Sequence, residues 1–216
     1  MPDLKFHIEG AEAVAFAAQP LLALKLRVDN SNADETIHTI ALRAQIQIEA
    51  NRRRYSPEEK KRLRDLFDEP DRWSQTLRPM LWTHVSAVVA SFQGSTTADL
   101  QAACTFDFNI AATKYFHAVS EGDIPLSLLF SGTVFYANVE GVLQVAPIPW
   151  DSEARYSLPV SVWRDMMDLY YPNGAWLRLR RDVFERLYQY KVQHAIPTWE
   201  QTFEELLSAE EEPVHP

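Results

Sequence analysis

Residues 124–139, with the sequence IPLSLLFSGTVFYANV, contain no charged side chain. A transmembrane helix needs about 20 consecutive apolar residues, so this segment is too short to cross a bilayer as a helix. Its leucine, valine and aromatic content predicts a long central β-strand, interrupted by the Ser131-Gly132 pair. A glycine inside a strand is typical of a bulge or of a close approach between two backbones. The Glu-Gly turn at 140–141 then predicts a hairpin with a strand over 142–148.

Period-two alternation of apolar and polar side chains predicts further strands before this segment. Such alternation is expected of strands that have one buried and one solvent-facing side. The turn sequence at 93–95 predicts that the two strands around it are antiparallel. The predicted strands cover residues 4–9, 22–28, 36–49, 82–92 and 97–108.

A helical segment interrupts the predicted strands. Ser56 can cap a helix, Pro57 suits its first position and Glu59 completes a capping box, which predicts one helix ending near residue 67. Residues 52–80 are therefore predicted to form a helical insertion between two strands. Weaker helical spacing is present over 113–119.

Beyond residue 150 the chain changes from strand to helical spacing, with prolines at the transition. Strands in a run followed by helices predict an α+β protein that is mainly β. We expect an antiparallel, immunoglobulin-like β-sandwich over residues 1–150. A helical appendage over 151–207 is predicted to pack on the sandwich, and the acidic tail over 208–216 is predicted to be disordered.

The charge and cysteine content limit the classes of partner and the compartment. The 216 residues carry 21 Lys and Arg against 30 Asp and Glu, a net charge of −9. Nucleic acids and anionic membranes bind basic surfaces, so neither is an expected partner. The single cysteine excludes an intrachain disulfide, and the N-terminus lacks the features of a signal peptide. The cytoplasm is the expected location.

No catalytic or metal-binding motif stands out, so no catalytic residue, metal ligand or cofactor is predicted. The sequence lacks HExxH, GxSxG and a glycine-rich phosphate loop. Cys104 lies on the apolar side of a predicted strand, where burial raises a thiol pKa and makes the thiol inert. His84 and His117 lie near aromatic residues in the sequence, and they are the two histidines to consider as a metal ligand or a catalytic base. Such histidines more often pack or face water.

Two groups of side chains are candidates for binding a partner protein. The basic cluster lies in residues 51–80, which hold nine Lys and Arg against six Asp and Glu. It would attract an acidic partner, although a solvated helix face is the simpler interpretation. Eleven aromatic residues lie between 150 and 203, and Tyr and Trp are frequent at interfaces. The candidate partner-binding residues are Arg52, Arg53, Arg54, Lys60, Lys61, Arg64, Trp163, Tyr171, Trp176, Tyr188 and Trp199.

Three segments resemble an uncharacterised bacterial family described only as a domain of unknown function. They are GDIPLSLLFSGTVFY at 122–136, WLRLRRDVFERLYQYK at 176–191 and IPTWEQTFEELL at 196–207. The resemblance implies a family of which some members are encoded near genes of uptake nickel-iron hydrogenases, and hence an accessory or assembly role. The family supplies no catalytic residues that could be carried over.

These observations lead to three hypotheses. The first is a non-enzymatic cytoplasmic binding or scaffolding protein, an accessory factor of a larger enzyme complex such as a hydrogenase. Its partner is another protein or a second copy in a homodimer. The alternative is a chaperone-like β-sandwich that holds unfolded segments or an apolar ligand, which requires a continuous exposed apolar groove. The third, an enzyme, requires His84 or His117 to converge with carboxylates in a pocket.

Overall fold

The computed structural model describes residues 2–32, 34–105, 110–138, 140–174 and 179–211. Within them the fold is mixed α+β with two antiparallel sheets, so the predicted fold class is confirmed at that level. The chain divides into two compact units, Met1–Gly174 and Ala175–Pro216.

The first unit contains eight strands among its described residues. The strands are β1 (Leu4–Ala13), β2 (Leu21–Asn30), β3 (Ile37–Ile48), β4 (Met80–Val89), β5 (Ser95–Ala103), β6 (Asp123–Ala137), β7 (Leu143–Pro147) and β8 (Glu153–Pro159). One sheet has three strands in the order β1-β2-β5, and the other has the order β4-β3-β6-β7, with β8 also paired to β6.

Seven α-helices lie in the described part of the chain, the last two in the second unit. None of them combines the length and the apolar character needed to cross a membrane. The final helix reaches Glu211, beyond the predicted end near residue 207, and 212–216 lie outside the described residues. The helices are α1 (Pro57–Arg62), α2 (Arg64–Phe67), α3 (Trp73–Thr76), α4 (Ile110–Ala118), α5 (Val160–Tyr170), α6 (Arg181–Gln193) and α7 (Trp199–Glu211).

Strand β6 is the centre of the five-stranded sheet, as its uncharged sequence predicts. One edge pairs with β3 from Leu126 to Tyr136. The other edge is shared, because β8 pairs with its first half and β7 with its second. Strand β8 corrects the prediction that the chain is helical from residue 151. Buried and exposed side chains do alternate along β8, where Ala154 and Leu158 are buried. The strand was missed because this pattern is short and has prolines on both sides.

Gly132 allows β6 to lie against β3 at this point. Its φ angle is +143°, a conformation that residues with a side chain rarely adopt. A Cβ atom on Gly132 would lie 2.0 Å from the carbonyl oxygen of Ala41. The predicted close approach of two backbones is therefore confirmed.

The two sheets share one hydrophobic core. The ring of Phe6 on β1 stacks on the ring of Phe130 on β6, with centroids 4.5 Å apart. The residues between these layers, among them Leu24, Ile40 and Leu128, are completely buried. Burial of apolar area contributes about 25 cal/mol per Å² and is the main stabilising term here.

The helical insertion begins with the predicted capping box. Ser56 Oγ accepts a hydrogen bond from the Glu59 backbone N–H at 3.2 Å, and the Ser56 N–H donates to Glu59 Oε2 at 3.0 Å. The predicted single helix is instead divided into α1 and α2 at Leu63. The side chain of Leu63 is fully buried, so tertiary packing overrides the helical spacing at this residue.

Candidate functional site

Arg53 of the basic cluster forms an internal ion pair. Its side chain is only 9% exposed, and its guanidinium lies 2.9 Å from Glu59 Oε1. The same nitrogen donates a hydrogen bond to the backbone carbonyl of Glu121. Arg53 therefore does not face solvent as the other cations of the cluster do, and it could bind a partner only if this ion pair opened.

The Glu59 carboxylate connects α1 to the segment that leads into β6. Its side chain is 5% exposed. It accepts hydrogen bonds from the backbone N–H of Ser120 at 2.8 Å and from the Ser56 N–H. Burial alone raises the pKa of Glu59, but these N–H donors and the Arg53 guanidinium more than offset it and hold the pKa below its ordinary value. The pair is a structural element of the insertion.

The other candidate cations of the basic cluster are exposed and partly neutralised. Arg52 lies 3.5 Å from Glu49, Lys61 lies 3.2 Å from Glu58, and Arg64 lies 3.2 Å from Glu69. Arg54 and Lys60 are also exposed. Exposed pairs of this kind contribute little to stability, so they leave the side chains free to exchange partners. Partner binding by these five cations remains a prediction.

The candidate aromatic residues differ in burial and are divided between the two units. Trp163 is 4% exposed and stacks on Phe116 with ring centroids 5.2 Å apart, so it belongs to the core of the first unit. Tyr171 is half-buried in the same unit. Tyr188 and Trp199 lie in the second unit, where their rings are 6.4 Å apart, and Trp176 lies outside the described residues.

Cys104 lines a cavity of about 410 Å³ between the edges of β4 and β5. Trp82, Phe116 and Trp163 form much of its wall. The thiol donates a weak hydrogen bond to the Ala102 carbonyl at 3.4 Å. Burial raises the pKa of the Cys104 thiol to about 12, so the nucleophilic thiolate is almost absent at neutral pH.

We expect Cys104 to be inert toward Ellman's reagent at pH 8 while the protein is folded. With a pKa of about 12, the thiolate fraction is on the order of 1 in 10,000. The absorbance of the released thionitrobenzoate checks this, and the same protein in concentrated guanidinium, where one thiol reacts, is the control. Rapid modification of the native protein would contradict the burial of this thiol.

The two candidate histidines have different surroundings, and His84 also lines the cavity that contains Cys104. His84 is exposed and lies 3.3 Å from the side-chain oxygen of Gln45. The ring of His117 packs edge-on against the ring of Trp163, with ring centroids 4.8 Å apart, and burial lowers the pKa of His117. Among the residues that the structure describes, no three His, Cys, Asp or Glu side chains converge as a metal site requires.

The outer face of the three-stranded sheet is covered by ion pairs. Lys25 lies 2.8 Å from Glu12 and 3.0 Å from Asp99. On the same strand, Arg27 lies 3.0 Å from Asp29 and 3.6 Å from Glu9. Alternating charges of this kind are typical of a sheet face that is in contact with water.

The outer face of the five-stranded sheet has a different composition. Four of its five strands, β3, β4, β6 and β7, contain two formally charged residues, Arg43 and Asp123, in a chain that is 24% charged. The fifth strand, β8, adds the exposed ion pair of Glu153 and Arg155 at the border of this face. The strand register places Val88, Ala41, Thr133 and Pro147 in one row across this face. Phe135 and Val145 form the next row, together with Thr39. Among these, Val88 is 77% exposed and Val145 is also exposed.

Trp150 extends this face at the turn between β7 and β8. Its side chain is 94% exposed. It borders a shallow depression of about 450 Å³ whose other walls include Arg43, Gln45 and Leu129. A second depression, between β3 and β4, also includes Arg43. We call the outward side chains of β3, β4, β6 and β7 together with Trp150 the neutral face.

Sequence comparison extends over almost the whole chain. Residues 1–215 match the profile of a family of unknown function, DUF6084. The chain belongs to the DUF6084 family. The match covers both units, so the predicted resemblance to a domain-of-unknown-function family is confirmed for this DUF6084 protein. No curated protein matches it significantly.

Sequence reasoning did not find the neutral face of this DUF6084 protein. The alternation in β3 and β4 shows which residues share a side, but Val88 and Val145 resemble core residues until both faces of the sheet are known. One signal was available: β4 and β7 contain no Asp, Glu, Lys or Arg at all. A strand at the edge of a sheet that lacks charge is unusual, because charged side chains normally protect such edges.

Proposed function

We propose that this protein is a non-enzymatic binding or scaffolding protein that docks a partner on its neutral face. The partner is a folded protein with a flat surface that is rich in apolar and hydroxyl groups and poor in charge. The centres of protein interfaces are depleted of charged residues and enriched in aromatic residues. The neutral face has both properties, and Trp150 is its exposed aromatic anchor.

The contrast between the two sheet faces carries this proposal. Both sheets belong to one domain, yet ion pairs cover the outer face of the three-stranded sheet, whereas the part of the other outer face formed by β3, β4, β6 and β7 is nearly uncharged and has the Glu153–Arg155 pair of β8 at its border. Random surface composition does not account for this difference within one small domain. A face that is buried in an assembly does account for it.

Replacement of Trp150 by serine should remove the partner. A tryptophan that anchors an interface contributes about 2 kcal/mol or more, so its loss lowers the affinity roughly 30-fold. The measurement is quantitative affinity purification of the tagged protein from its own host, followed by mass spectrometry of the proteins that it retains.

Phe16→Ser is the matched control for this experiment. Phe16 is also a fully exposed aromatic residue, but it lies in the β1–β2 loop of the three-stranded sheet. A protein that is retained by the wild type and by Phe16→Ser, and is lost with Trp150→Ser, supports the proposal. Equal retention by both variants would refute docking on the neutral face.

An accessory or assembly role in a larger enzyme complex is part of the proposal. Its support is the association with uptake-hydrogenase genes that the sequence resemblance implies for some members of the family, together with the cytoplasmic location expected from the sequence. Co-purification of hydrogenase subunits in the experiment above would identify that complex.

We also propose that the two sheets form an immunoglobulin-like sandwich. The orders β1-β2-β5 and β4-β3-β6-β7 follow the alternation of strands between sheets that this architecture uses. The shared core of Phe6 and Phe130 supports the same arrangement.

The chaperone-like alternative uses the same surface for a different ligand. An uncharged face with two shallow depressions would also suit an unfolded apolar segment. The two functions differ in one assay, the suppression of aggregation of a chemically denatured client protein. Suppression that Trp150→Ser removes would favour the chaperone-like function.

A further inference from the structure

The second unit is a helical hairpin that carries a surface distinct from the neutral face. Helices α6 and α7 contact each other through Phe184 and Trp199, with ring centroids 5.3 Å apart. The turn between them is closed by Lys191, whose ammonium donates to the carbonyl oxygens of Ile196 and Pro197. Tyr190 also donates to Glu205 at 3.3 Å. The two helices therefore form one defined structural element.

The hairpin leaves much of its apolar surface exposed. None of the residues of α6 is buried, and Phe184, Tyr188 and Val192 form an exposed ridge at positions i, i+4 and i+8. Beside this ridge lies a depression of about 420 Å³, which we call the hairpin groove. Its wall is formed by Leu179, Arg181, Phe184, Trp199 and Phe203.

The helix on the other side of the groove is acidic. Helix α7 contains five glutamates and no Lys or Arg. Glu200 and Glu204 are four residues apart, on the same side of the helix, and both are exposed. Like charges at this spacing destabilise a helix by a few tenths of a kcal/mol. Neither Glu200 nor Glu204 takes part in an ion pair with the described residues.

We propose that the hairpin groove binds a basic amphipathic helix of a partner protein. Apolar side chains of that helix would fill the groove against Trp199 and Phe203, as in other complexes in which a helix lies in a groove. Its Lys or Arg side chains would lie along α7 against Glu200 and Glu204, which follow the wall residues Trp199 and Phe203 in the sequence, and away from Arg181, the cation that α6 contributes to the wall. This inference does not depend on the proposed function, because it concerns a different unit.

The test uses three synthetic peptides and the full chain. The first is an amphipathic helix of Leu and Lys, the second has Glu in place of Lys, and the third has the composition of the first in a scrambled order. Fluorescence anisotropy of labelled peptides measures the affinity. We expect the first peptide to bind, with affinity that falls as salt rises, and the others to bind at least about tenfold more weakly.

Two double variants locate the site. Glu200→Gln with Glu204→Gln should weaken binding of the Leu–Lys peptide about tenfold or more. Glu140→Gln with Asp151→Asn removes the same charge from exposed positions of the first unit, and should leave the affinity unchanged. Equal weakening by both double variants would show attraction to net charge alone and would overturn the proposal.

Other occupants of the groove give other results. A second copy of the chain would appear as concentration-dependent dimerisation in light scattering, lost in Tyr188→Glu, without peptide binding. That result overturns the proposal. Trp150→Ser should bind the peptide as the wild type does, so failure at the neutral face and failure at the hairpin groove can be distinguished.

Discussion

Gly132→Ala is expected to abolish folding or to cost more than about 4 kcal/mol, a large part of the 5–15 kcal/mol that stabilises a typical domain. The new Cβ would lie 2.0 Å from the carbonyl oxygen of Ala41. The obstacle is backbone and cannot rotate away, so β6 must separate from β3 to relieve it. The φ angle of +143° adds strain for any residue with a side chain. Urea denaturation followed by tryptophan fluorescence measures the effect.

Gly10→Ala is the matched control for Gly132→Ala. Gly10 also lies in a strand, at the irregular pairing between β1 and β2. No atom lies within 4 Å of a Cβ placed on Gly10, and its φ is not in the left-handed region. We expect a neutral or slightly stabilising change of about 0.5 kcal/mol. If Gly132→Ala had the urea midpoint of the wild type, the backbones of β3 and β6 would have to be farther apart at Gly132 and Ala41 than the structure shows.

Glu59→Gln is expected to destabilise the protein by about 3 kcal/mol. The amide can keep the hydrogen bond from the Ser56 N–H, but it removes the charge that neutralises the buried Arg53 guanidinium. Glu58→Gln is the control next to it, because Glu58 is exposed and its contact with Lys61 is a surface pair. That variant should change the free energy of unfolding by less than about 0.5 kcal/mol.

The same carboxylate should make stability depend on pH in acid. The pKa of Glu59 is lower in the folded protein than its ordinary value of 4.5. A carboxylate with a lowered pKa contributes its full stabilisation above the ordinary pKa, and loses it as the pH falls through the lower value. The urea midpoint of the wild type should therefore fall below pH 4.5 more steeply than that of Glu59→Gln. Parallel curves would mean that Glu59 is not the group responsible.

Local patterns predicted the elements whose causes are local. The capping box at Ser56 and Glu59 depends on residues three positions apart, and the strand character of β6 depends on its own uncharged composition. Gly132 was expected to mark a bulge or a close approach of two backbones, because few other causes place glycine in a strand. These predictions needed no knowledge of distant residues.

Features that depend on distant residues were not predicted. The burial of Arg53 is set by Glu59 and by the carbonyl of Glu121, which is far along the chain. Trp163 is in the core because Phe116 stacks on it, and helical spacing in α5 does not reveal that contact. The neutral face required the pairing of β3 with both β4 and β6, which fixes which side of the sheet faces outward.

The shared edge of β6 has a consequence for synthesis on the ribosome. The three strands of one sheet are complete once residue 103 has emerged, whereas the other sheet requires β6, β7 and β8, which end at Pro159. At about 5–20 residues per second this interval lasts several seconds. During this interval β3 and β4 have been synthesised, and Arg43 is their single charged residue. The edge of β3 that later pairs with β6 is still unpaired. Nascent chains of this protein should therefore recruit holding factors between the two stages, and slower translation of residues 104–159 should reduce the soluble yield.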